Sequence, residues 1–192
     1  TLVACADYVL GKLGGGNTVS NLSSSRALRD VTEKHGGTYT ASAVGEVNVV
    51  IKMKETNTVI GGEGNGGIIY PASHYGRDSL VGVALFLSHM ATANISCKAL
   101  RESYPSYFMS KNKIQLTPQI DVDNILEIMA TKYANEEVNT IDGVKIDFES
   151  QWVHLRKSNT EPIIRIYTES NSQLNADELA ERFITEIKEI IA

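Results

Sequence analysis

Residues 144–168 read VKIDFESQWVHLRKSNTEPIIRIYT, and this run determines the architecture of the second half of the chain. Three apolar stretches follow one another within it, with no room for a helix between them: Val144–Phe148, Trp152–Arg156 and Ile163–Thr168. Asp142-Gly143, just before the first stretch, is a typical hairpin turn. Strands that are joined by short connections pair antiparallel, so the run predicts an antiparallel sheet.

Helical patterns flank this predicted sheet on both sides. Residues 122–134 repeat apolar side chains at helical spacing, and Asp121 before them is a suitable N-cap. Asn175 is predicted to cap a last helix, whose apolar stripe runs from Leu179 to Ile191. An antiparallel sheet with two helices is an α+β domain.

The first half has a different rhythm, in which helices alternate with strands. Helices are predicted over Leu2–Leu13, Arg26–Lys34, Glu46–Glu55 and Ser79–Thr92, and strands over Thr18–Leu22, Thr38–Ala43, Thr58–Gly62 and Ile68–Tyr70. This alternation predicts an α/β domain with a mixed or mostly parallel sheet and flanking helices. Residues 96–113 are predicted as a connector. The division is placed after residue 110, which gives domains over 1–110 and 111–192.

Composition and charge exclude several classes of protein. The chain has 192 residues, of which 42% are apolar, and a net charge of −5, as is ordinary for a folded protein. Its two cysteines exclude a disulfide scaffold and favour a reducing, cytoplasmic location. No apolar run approaches the length of a membrane span, so no membrane partner is expected. The chain begins within a helical pattern, which suggests a fragment of a longer protein.

The distribution of charge argues against a nucleic-acid partner. Residues 1–110 hold nine basic and eight acidic side chains, whereas residues 111–192 hold nine and fifteen. Nucleic-acid modules present a basic face to the phosphate backbone. The acidic second half does not fit that requirement.

A glycine-rich loop follows the third predicted strand: Gly61-Gly62-Glu63-Gly64-Asn65-Gly66-Gly67. It contains the spacing GxGxxG, but a dinucleotide site needs a helix next, and the sequence Ile-Ile-Tyr-Pro cannot begin one. One interpretation is a plain turn between strands. The other is a polyol site, in which Glu63 accepts hydrogen bonds from neighbouring hydroxyls, Asn65 adds a donor and an acceptor, and the glycines admit the ligand.

A second polar loop joins two strands of the second half: Arg156-Lys157-Ser158-Asn159-Thr160-Glu161-Pro162, followed by Ile163-Ile164-Arg165. Arginine charge, hydroxyl donors and converging backbone N–H groups are the components of a phosphate site. The alternative is a polar hairpin with incidental charges. A basic cluster in an otherwise acidic half favours the phosphate site.

No residues of the sequence form a recognisable metal or nucleophile motif. The four histidines are dispersed along the chain. Asp121 and Asp123 occupy the positions of an N-cap and a first-turn acid, which explains them without a metal. We therefore predict no metal ligand and no catalytic nucleophile in this chain.

At its two loops the sequence resembles the α-D-phosphohexomutases, the family of phosphomannomutase/phosphoglucomutase and phosphoglucosamine mutase. Its members carry a sugar loop GE-x-[SN]-G-[HG], which matches residues 62–67, and a phosphate loop R-x-S-[NG]-T-E-P-x-x-R, which matches residues 156–165. The stretch 44–49 resembles the family segment before the sugar loop. The resemblance spans essentially the whole chain.

The resemblance implies the third and fourth of four domains. The third is an α/β domain that recognises the sugar, and the fourth is a phosphate-binding α+β domain that is TATA-box-binding-protein-like. Neither the phosphoserine motif of the first domain nor the Mg²⁺ loop D-x-D-x-D-R of the second occurs here. The resemblance therefore implies a fragment that has no catalytic residue, is inactive alone, and has missing N-terminal domains that hold the Mg²⁺.

The resemblance also implies a reaction and residue roles. In the family, a phosphoserine transfers its phosphoryl group to a hexose phosphate, and a hexose 1,6-bisphosphate intermediate turns over, which interconverts hexose 1-phosphate and hexose 6-phosphate. The implied sugar-binding residues are Glu63, Asn65 and Gly67. The implied phosphate-binding residues are Arg156, Ser158, Asn159, Thr160 and Arg165. Residues that could line the site are Ser23, Arg26 and Glu46. Whether the sugar is mannose, glucose or glucosamine stays open.

Two other functions stay open. One is a stand-alone module that binds sugar phosphates without catalysis. The other is a nucleic-acid binder, which only the fold implied for the fourth domain suggests. The excess of acidic residues in that half disfavours it.

Overall fold

The computed structural model describes residues 1–117, 119–158 and 161–191. The chain forms two compact units, Thr1–Pro105 and Ser106–Ala192, and each is described by itself. The predicted division after residue 110 falls inside a strand of the second unit, Phe108–Gln115.

Helices and strands alternate through most of unit 1. Its helices are α1 (Leu2–Leu13), α2 (Ala27–Lys34), α3 (Glu46–Glu55), α4 (Ser79–Ala93) and α5 (Cys97–Glu102). Its strands are β1 (Asn17–Asn21), β2 (Tyr39–Ser42), β3 (Thr58–Glu63), β4 (Gly67–Tyr70) and β5 (His74–Arg77). The strand order is β2-β1-β3-β4-β5, in which β1 is parallel to β2 and β3, while β4 pairs antiparallel with β3 and β5. The predicted α/β domain with a mixed sheet is confirmed.

Helices cover both faces of the sheet in unit 1. Successive side chains of a strand point to opposite faces, so neighbouring residues pack against different helices. Ile68 packs in a cluster with Leu10 of α1. Its neighbour Ile69 packs in a separate cluster with Val49 and Met53 of α3. This burial on two sides holds the strands in place, so the polar residues at their ends have defined positions.

Unit 2 is built on an antiparallel sheet. Its strands are β6 (Phe108–Gln115), β7 (Glu137–Asn139), β8 (Val144–Asp147), β9 (Trp152–Lys157) and β10 (Ile163–Ser170), and its helices are α6 (Val122–Lys132) and α7 (Gln173–Ile191). The strand order is β6-β10-β9-β8-β7. Met129 of α6 and Phe183 of α7 pack against Leu155 and Ile164 of the sheet. The predicted α+β domain is confirmed.

Both units contain helices or strands that the sequence does not predict. The segment 96–113, predicted as a connector, contains α5 and most of β6, and β5 and β7 lie where no strand is predicted. Since β6 is an edge strand in which only Ser110 and Ile114 are buried, its sequence carries little apolar alternation. The strands β5 and β7 are four and three residues long, too short for a periodic signal.

The caps of the helices are partly as predicted. Asp121 caps α6 by accepting a hydrogen bond from the N–H of Asn124 at 3.1 Å. Asn175 is not the cap of α7, because it lies inside that helix and donates its own N–H to Ser172 Oγ at 3.1 Å. A serine three residues before an asparagine offers the same kind of cap, so local preference alone does not decide between them.

Among the helices of the described ranges, none combines the length and the apolar character that crossing a membrane would require.

Candidate functional site

The glycine-rich loop of unit 1 is the tip of the β3–β4 hairpin. Glu63 pairs with Gly67 across the two strands, and the N–H of Gly66 donates to the Glu63 carbonyl at 3.1 Å. Gly66 has φ 97°, as expected for the last residue of a three-residue hairpin loop. A strand therefore follows the glycines, which removes the helix that a dinucleotide site would need.

Glu63 is held at the end of β3 by residues from two other strands. Its Oε1 accepts a hydrogen bond from Asn21 Nδ2 at 2.8 Å, and its Oε2 lies 3.5 Å from Arg77 Nη1. The side chain of Glu63 is only 7% exposed. Because β1 and β3 are parallel, Asn21 and Glu63 end at the same edge of the sheet, where ligands bind in open α/β folds.

Ser24 connects this edge to the tip of the loop. Its hydroxyl donates to Asn21 Oδ1 at 2.9 Å and accepts from the N–H of Gly64 at 2.8 Å. A Cβ on Gly64 would lie 3.1 Å from Ser24 Cα, so the glycine allows this approach. The link thus runs through Ser24, and its predicted neighbour Ser23 is half-buried.

Arg77 lies between two carboxylates. Besides its contact with Glu63, its Nε donates to Glu46 Oε2 at 2.8 Å and its backbone N–H donates to Glu46 Oε1 at 3.0 Å. The backbone bond first, and then the side-chain bond, hold the pKa of Glu46 below its ordinary value. The predicted lining residue Glu46 therefore joins the group around Glu63 through Arg77.

Three further predicted residues of unit 1 have defined surroundings. Asn65 Oδ1 accepts a hydrogen bond from the N–H of Gly67 at 3.1 Å, which stabilises the turn. A Cβ on Gly67 would lie 2.5 Å from Arg77 Cδ, so this glycine makes room for the arginine. Arg26 is buried and precedes α2.

In unit 2, Arg156 and Arg165 are directly opposite each other on β9 and β10. Side chains of directly opposed residues in an antiparallel pair lie on the same face, with Cβ atoms about 4.5–5.5 Å apart. On the other side of β10, Arg165 is opposite Lys113 of β6. The register therefore places a row of three basic residues, hereafter the basic row, across three adjacent strands.

The turn before β8 holds Arg156. The Arg156 Nε lies 3.2 and 3.1 Å from the two carboxylate oxygens of Asp142. The Asp142 carbonyl accepts a hydrogen bond from His154 Nε2 at 2.7 Å, and burial lowers the pKa of His154, which favours its neutral form. Asp142 is thus bound through both its side chain and its backbone.

The loop between β9 and β10 is closed by the N–H of Ser158, which donates to the Ile163 carbonyl at 3.1 Å. The predicted phosphate-binding residues Asn159 and Thr160 lie outside the described residues. Lys157 Nζ forms an ion pair with Asp123 Oδ2 at 2.6 Å, so its charge is paired with that of an acid on α6.

The described residues do not fit a magnesium site. Asp121 caps α6 and Asp123 pairs with Lys157, as given above. Within residues 1–117, 119–158 and 161–191, no group of three or more histidine, cysteine or acidic residues could hold a metal ion.

Comparison with known proteins identifies the family. Residues 1–107 match the model of the phosphoglucomutase/phosphomannomutase alpha/beta/alpha domain III, and residues 113–186 match that of the phosphoglucomutase/phosphomannomutase C-terminal domain. The chain belongs to the phosphoglucomutase/phosphomannomutase family. The resemblance at the two loops is therefore confirmed, and the chain matches the C-terminal half of phosphohexomutases.

Relatives of this family align over 90% or more of the chain. The phosphoglucomutase/phosphomannomutase of Thermococcus kodakarensis is 33% identical over 100% of the chain and 42% of its own length. The phosphoglucosamine/phosphogalactosamine mutase of Sulfurisphaera tokodaii is 34% identical over 90% of the chain and 38% of its own length. A family protein of Burkholderia thailandensis has the same fold, with a TM-score of 0.79, 23% identity, and coverage of 97% of this chain and 40% of its own. The chain thus spans about 40% of the length of these relatives.

Four residues join the candidate site although no sequence motif predicts them: Asn21, Ser24, Arg77 and Lys113. Asn21 lies at the carboxyl end of the predicted strand Thr18–Leu22 and Ser24 follows that strand, at the edge where ligands bind, and this position is the available signal. Arg77 and Lys113 lie on short or edge strands that periodicity does not detect, so nothing local marked them.

Proposed function

We propose that this chain recognises a hexose phosphate, with unit 1 binding sugar hydroxyls and unit 2 binding the phosphate. The observation that carries the proposal is the buried Glu63 carboxylate, which Asn21 and Arg77 hold at the edge of the sheet within a loop of the family's sugar-loop form. A fixed carboxylate accepts hydrogen bonds from two neighbouring hydroxyls, and charge-assisted bonds of this kind are strong. Asn65, Gly67, Ser23, Arg26 and Glu46 are proposed to complete the sugar site.

The phosphate part of the proposal rests on the register of β9 and β10. Arg156 and Arg165 share a face, where like charges directly opposite each other repel, and the Asp142 carboxylate compensates this charge only on the Arg156 side. A phosphate would relieve this repulsion, and guanidinium groups bind phosphate oxygens with matching geometry. Ser158, Asn159 and Thr160 are proposed to supply the further donors.

We further propose that the longer protein interconverts hexose 1-phosphate and hexose 6-phosphate as a phosphomannomutase, phosphoglucomutase or phosphoglucosamine mutase. The phosphoserine, the Mg²⁺ and their ligands would belong to N-terminal domains of the same polypeptide, with hexose 1,6-bisphosphate as the intermediate. This chain would then position the substrate and be inactive alone. A cytoplasmic location agrees with such a substrate.

The second candidate is a sugar-phosphate-binding module without catalysis. It is favoured by the same two loops, since recognition alone needs no phosphoserine. Expression from the native reading frame separates the two: mutase activity of that product supports the enzyme, and its absence together with tight sugar-phosphate binding supports the module.

The test of recognition is a titration followed by backbone amide shifts in NMR spectra. Glucose 1-phosphate, mannose 1-phosphate, glucosamine 6-phosphate and inorganic phosphate are added to the whole chain. We expect sugar phosphates to shift residues 64–67 and Ser158, and inorganic phosphate to shift only the second loop. If sugar phosphates leave residues 64–67 unmoved, the division of roles between the two loops is wrong.

Variants locate the two parts of the ligand. Glu63→Gln is expected to weaken sugar phosphates but not inorganic phosphate, and Arg156→Met to weaken both by a factor that corresponds to about 1.5–3 kcal/mol. Glu55→Gln, an exposed carboxylate on α3, and Arg101→Met on α5 are the matched controls.

A further inference from the structure

We propose that Arg77 is a positioning residue for the sugar-binding carboxylate of Glu63. The inference rests on the proposed function, because it assigns Arg77 a role in that same site. Arg77 ends β5, and its guanidinium touches Glu46 through Nε and Glu63 through Nη1 at the same time. Arg77 thus joins these two acids.

Arg77 is held at its backbone N–H, its Nε and its Nη1, although its side chain is 47% exposed. Glu46 accepts from both its backbone N–H and its Nε, which sets the direction in which the side chain leaves the strand. The aliphatic part then crosses Gly67, where a Cβ would lie 2.5 Å from Arg77 Cδ and 3.2 Å from Cγ. The register of β5 with β4, in which Arg77 is opposite Ile69, brings it to this place.

The restriction matters because Glu63 is buried. A carboxylate that is removed from water needs donors or a counter-charge to stay ionised and in one orientation. Asn21 supplies a short bond to Oε1 at 2.8 Å, and Arg77 supplies charge near Oε2 at the longer distance of 3.5 Å. Since a carboxylate has about four acceptor positions, these two contacts orient it and leave positions for ligand hydroxyls.

The geometry also requires the guanidinium in particular. One side chain must reach Glu46 and Glu63 with separate nitrogen atoms that a planar group holds apart. Lysine has the charge but a single nitrogen, so it cannot hold both carboxylates in the same way. We therefore expect Arg77→Lys to retain only part of the effect.

The first test needs no ligand. In the whole chain, loss of Arg77 should loosen Glu63 and thus move the side-chain amide resonances of Asn21, its hydrogen-bond partner. We expect a clear shift in Arg77→Met, a smaller one in Arg77→Lys, and none in the control Arg101→Met, while amide resonances of α1 report that unit 1 stays folded. Unmoved Asn21 resonances in Arg77→Met would falsify the positioning role.

The second test is a double-mutant cycle with glucose 1-phosphate as the ligand. We expect Arg77→Met to weaken binding about tenfold in the wild-type chain. In the Glu63→Gln variant, the same substitution should weaken binding by less than about a further twofold, because its effect passes through Glu63. Inorganic phosphate should bind all variants alike. Additive losses would mean that Arg77 acts independently of Glu63, which overturns the inference.

The two hypotheses fail in different ways. If Glu63→Gln leaves the affinity for glucose 1-phosphate unchanged, the proposed sugar site is wrong. If Glu63→Gln weakens binding but Arg77→Met does not, the sugar site stands and the role of Arg77 is wrong.

Discussion

Gly67 illustrates how one absent side chain shapes the sugar loop. The family resemblance implies a contact with the sugar, and the structure adds that Arg77 passes directly over this glycine. A methyl group in that space would force the Arg77 side chain to shift. The residue therefore has a reason to be glycine that is independent of any ligand.

We predict that Gly67→Ala lowers the free energy of unfolding by about 1–3 kcal/mol, because its Cβ overlaps Arg77. The matched control is Gly11→Ala in α1, whose Cβ would meet only His35 Cε1 at 3.6 Å. That change should stabilise the protein by about 0.5–1 kcal/mol, since alanine favours the helix. Urea unfolding measures both, and equal effects of the two variants would contradict the packing argument.

Asp7 is a second residue whose surroundings predict a measurable effect. Burial raises its pKa, but the hydrogen bonds from His35 and Tyr104, together with the charges of Lys34 and His35, outweigh burial, so its pKa lies below the ordinary value. The bonds are 2.7 Å to His35 Nε2 and 2.9 Å to the Tyr104 hydroxyl. A carboxyl with a lowered pKa stabilises the fold above its ordinary pKa and loses that contribution as pH falls through the lowered one.

Asp7→Asn is therefore expected to destabilise the protein by about 1.5–3 kcal/mol at pH 7. The difference from the wild type should shrink as the pH falls below about 4, because the wild-type carboxyl then gains its proton. Thermal unfolding at several pH values measures this. Glu102→Gln, an exposed acid on α5, should cost little at any pH, and a similar loss there would argue against the specific bonds of Asp7.

At the level of elements, the antiparallel register creates the basic row of unit 2. Lys113, Arg165 and Arg156 come from β6, β10 and β9 and are placed side by side only by strand pairing. The Asp142 carboxylate compensates part of this charge at one end of the row. The positive charges of Lys113 and Arg165 can still attract an anion to the row.

Lys113→Met is expected to weaken the binding of inorganic phosphate about two- to fivefold, a modest effect because Lys113 is exposed. The loss should diminish at high salt, where exposed charges are screened. Lys188→Met in α7 is the control, since its charge lies on another element. If both substitutions weakened binding equally, phosphate would respond to the net charge of the chain and not to the basic row.

At the level of the whole molecule, α4 stands out because it is apolar on nearly every side. Leu80, Val83 and Leu87 are 79%, 55% and 56% exposed and follow the spacing of one helix face. A helix that is hydrophobic all round is ordinarily buried. This face therefore gives the chain a larger exposed apolar patch than isolated surface residues do.

We predict that the double variant Val83→Lys and Leu87→Lys reduces the fluorescence of a bound apolar dye such as ANS by about half or more, because the patch supplies its binding area. The free energy of unfolding should change by no more than about 0.5 kcal/mol, since both side chains are exposed. Leu174→Lys, a single exposed leucine on α7, is the control. Unchanged dye binding in the double variant would show that the patch does not act as one surface.

Much of the candidate site is visible in the sequence where the signal is local. The two loops, with Glu63 and the pair Arg156 and Arg165, stand in contiguous segments whose composition indicates their chemistry. The cap of α7 was misplaced because Ser172 and Asn175 are equally suitable by type. Arg77 and Lys113 were missed because their strands are too short or too polar to show alternation.

Hydrophobic periodicity, glycine positions and the two loop motifs by themselves determined an α/β domain, then an α+β domain, and the family to which the chain belongs. Only the tertiary structure decided which residues meet at the site. Asn21 reaches Glu63 across 42 residues and Arg77 reaches Glu46 across 31, through the order and register of separate strands. Local sequence records which way a strand faces, but neighbours across a sheet depend on the packing of the whole domain.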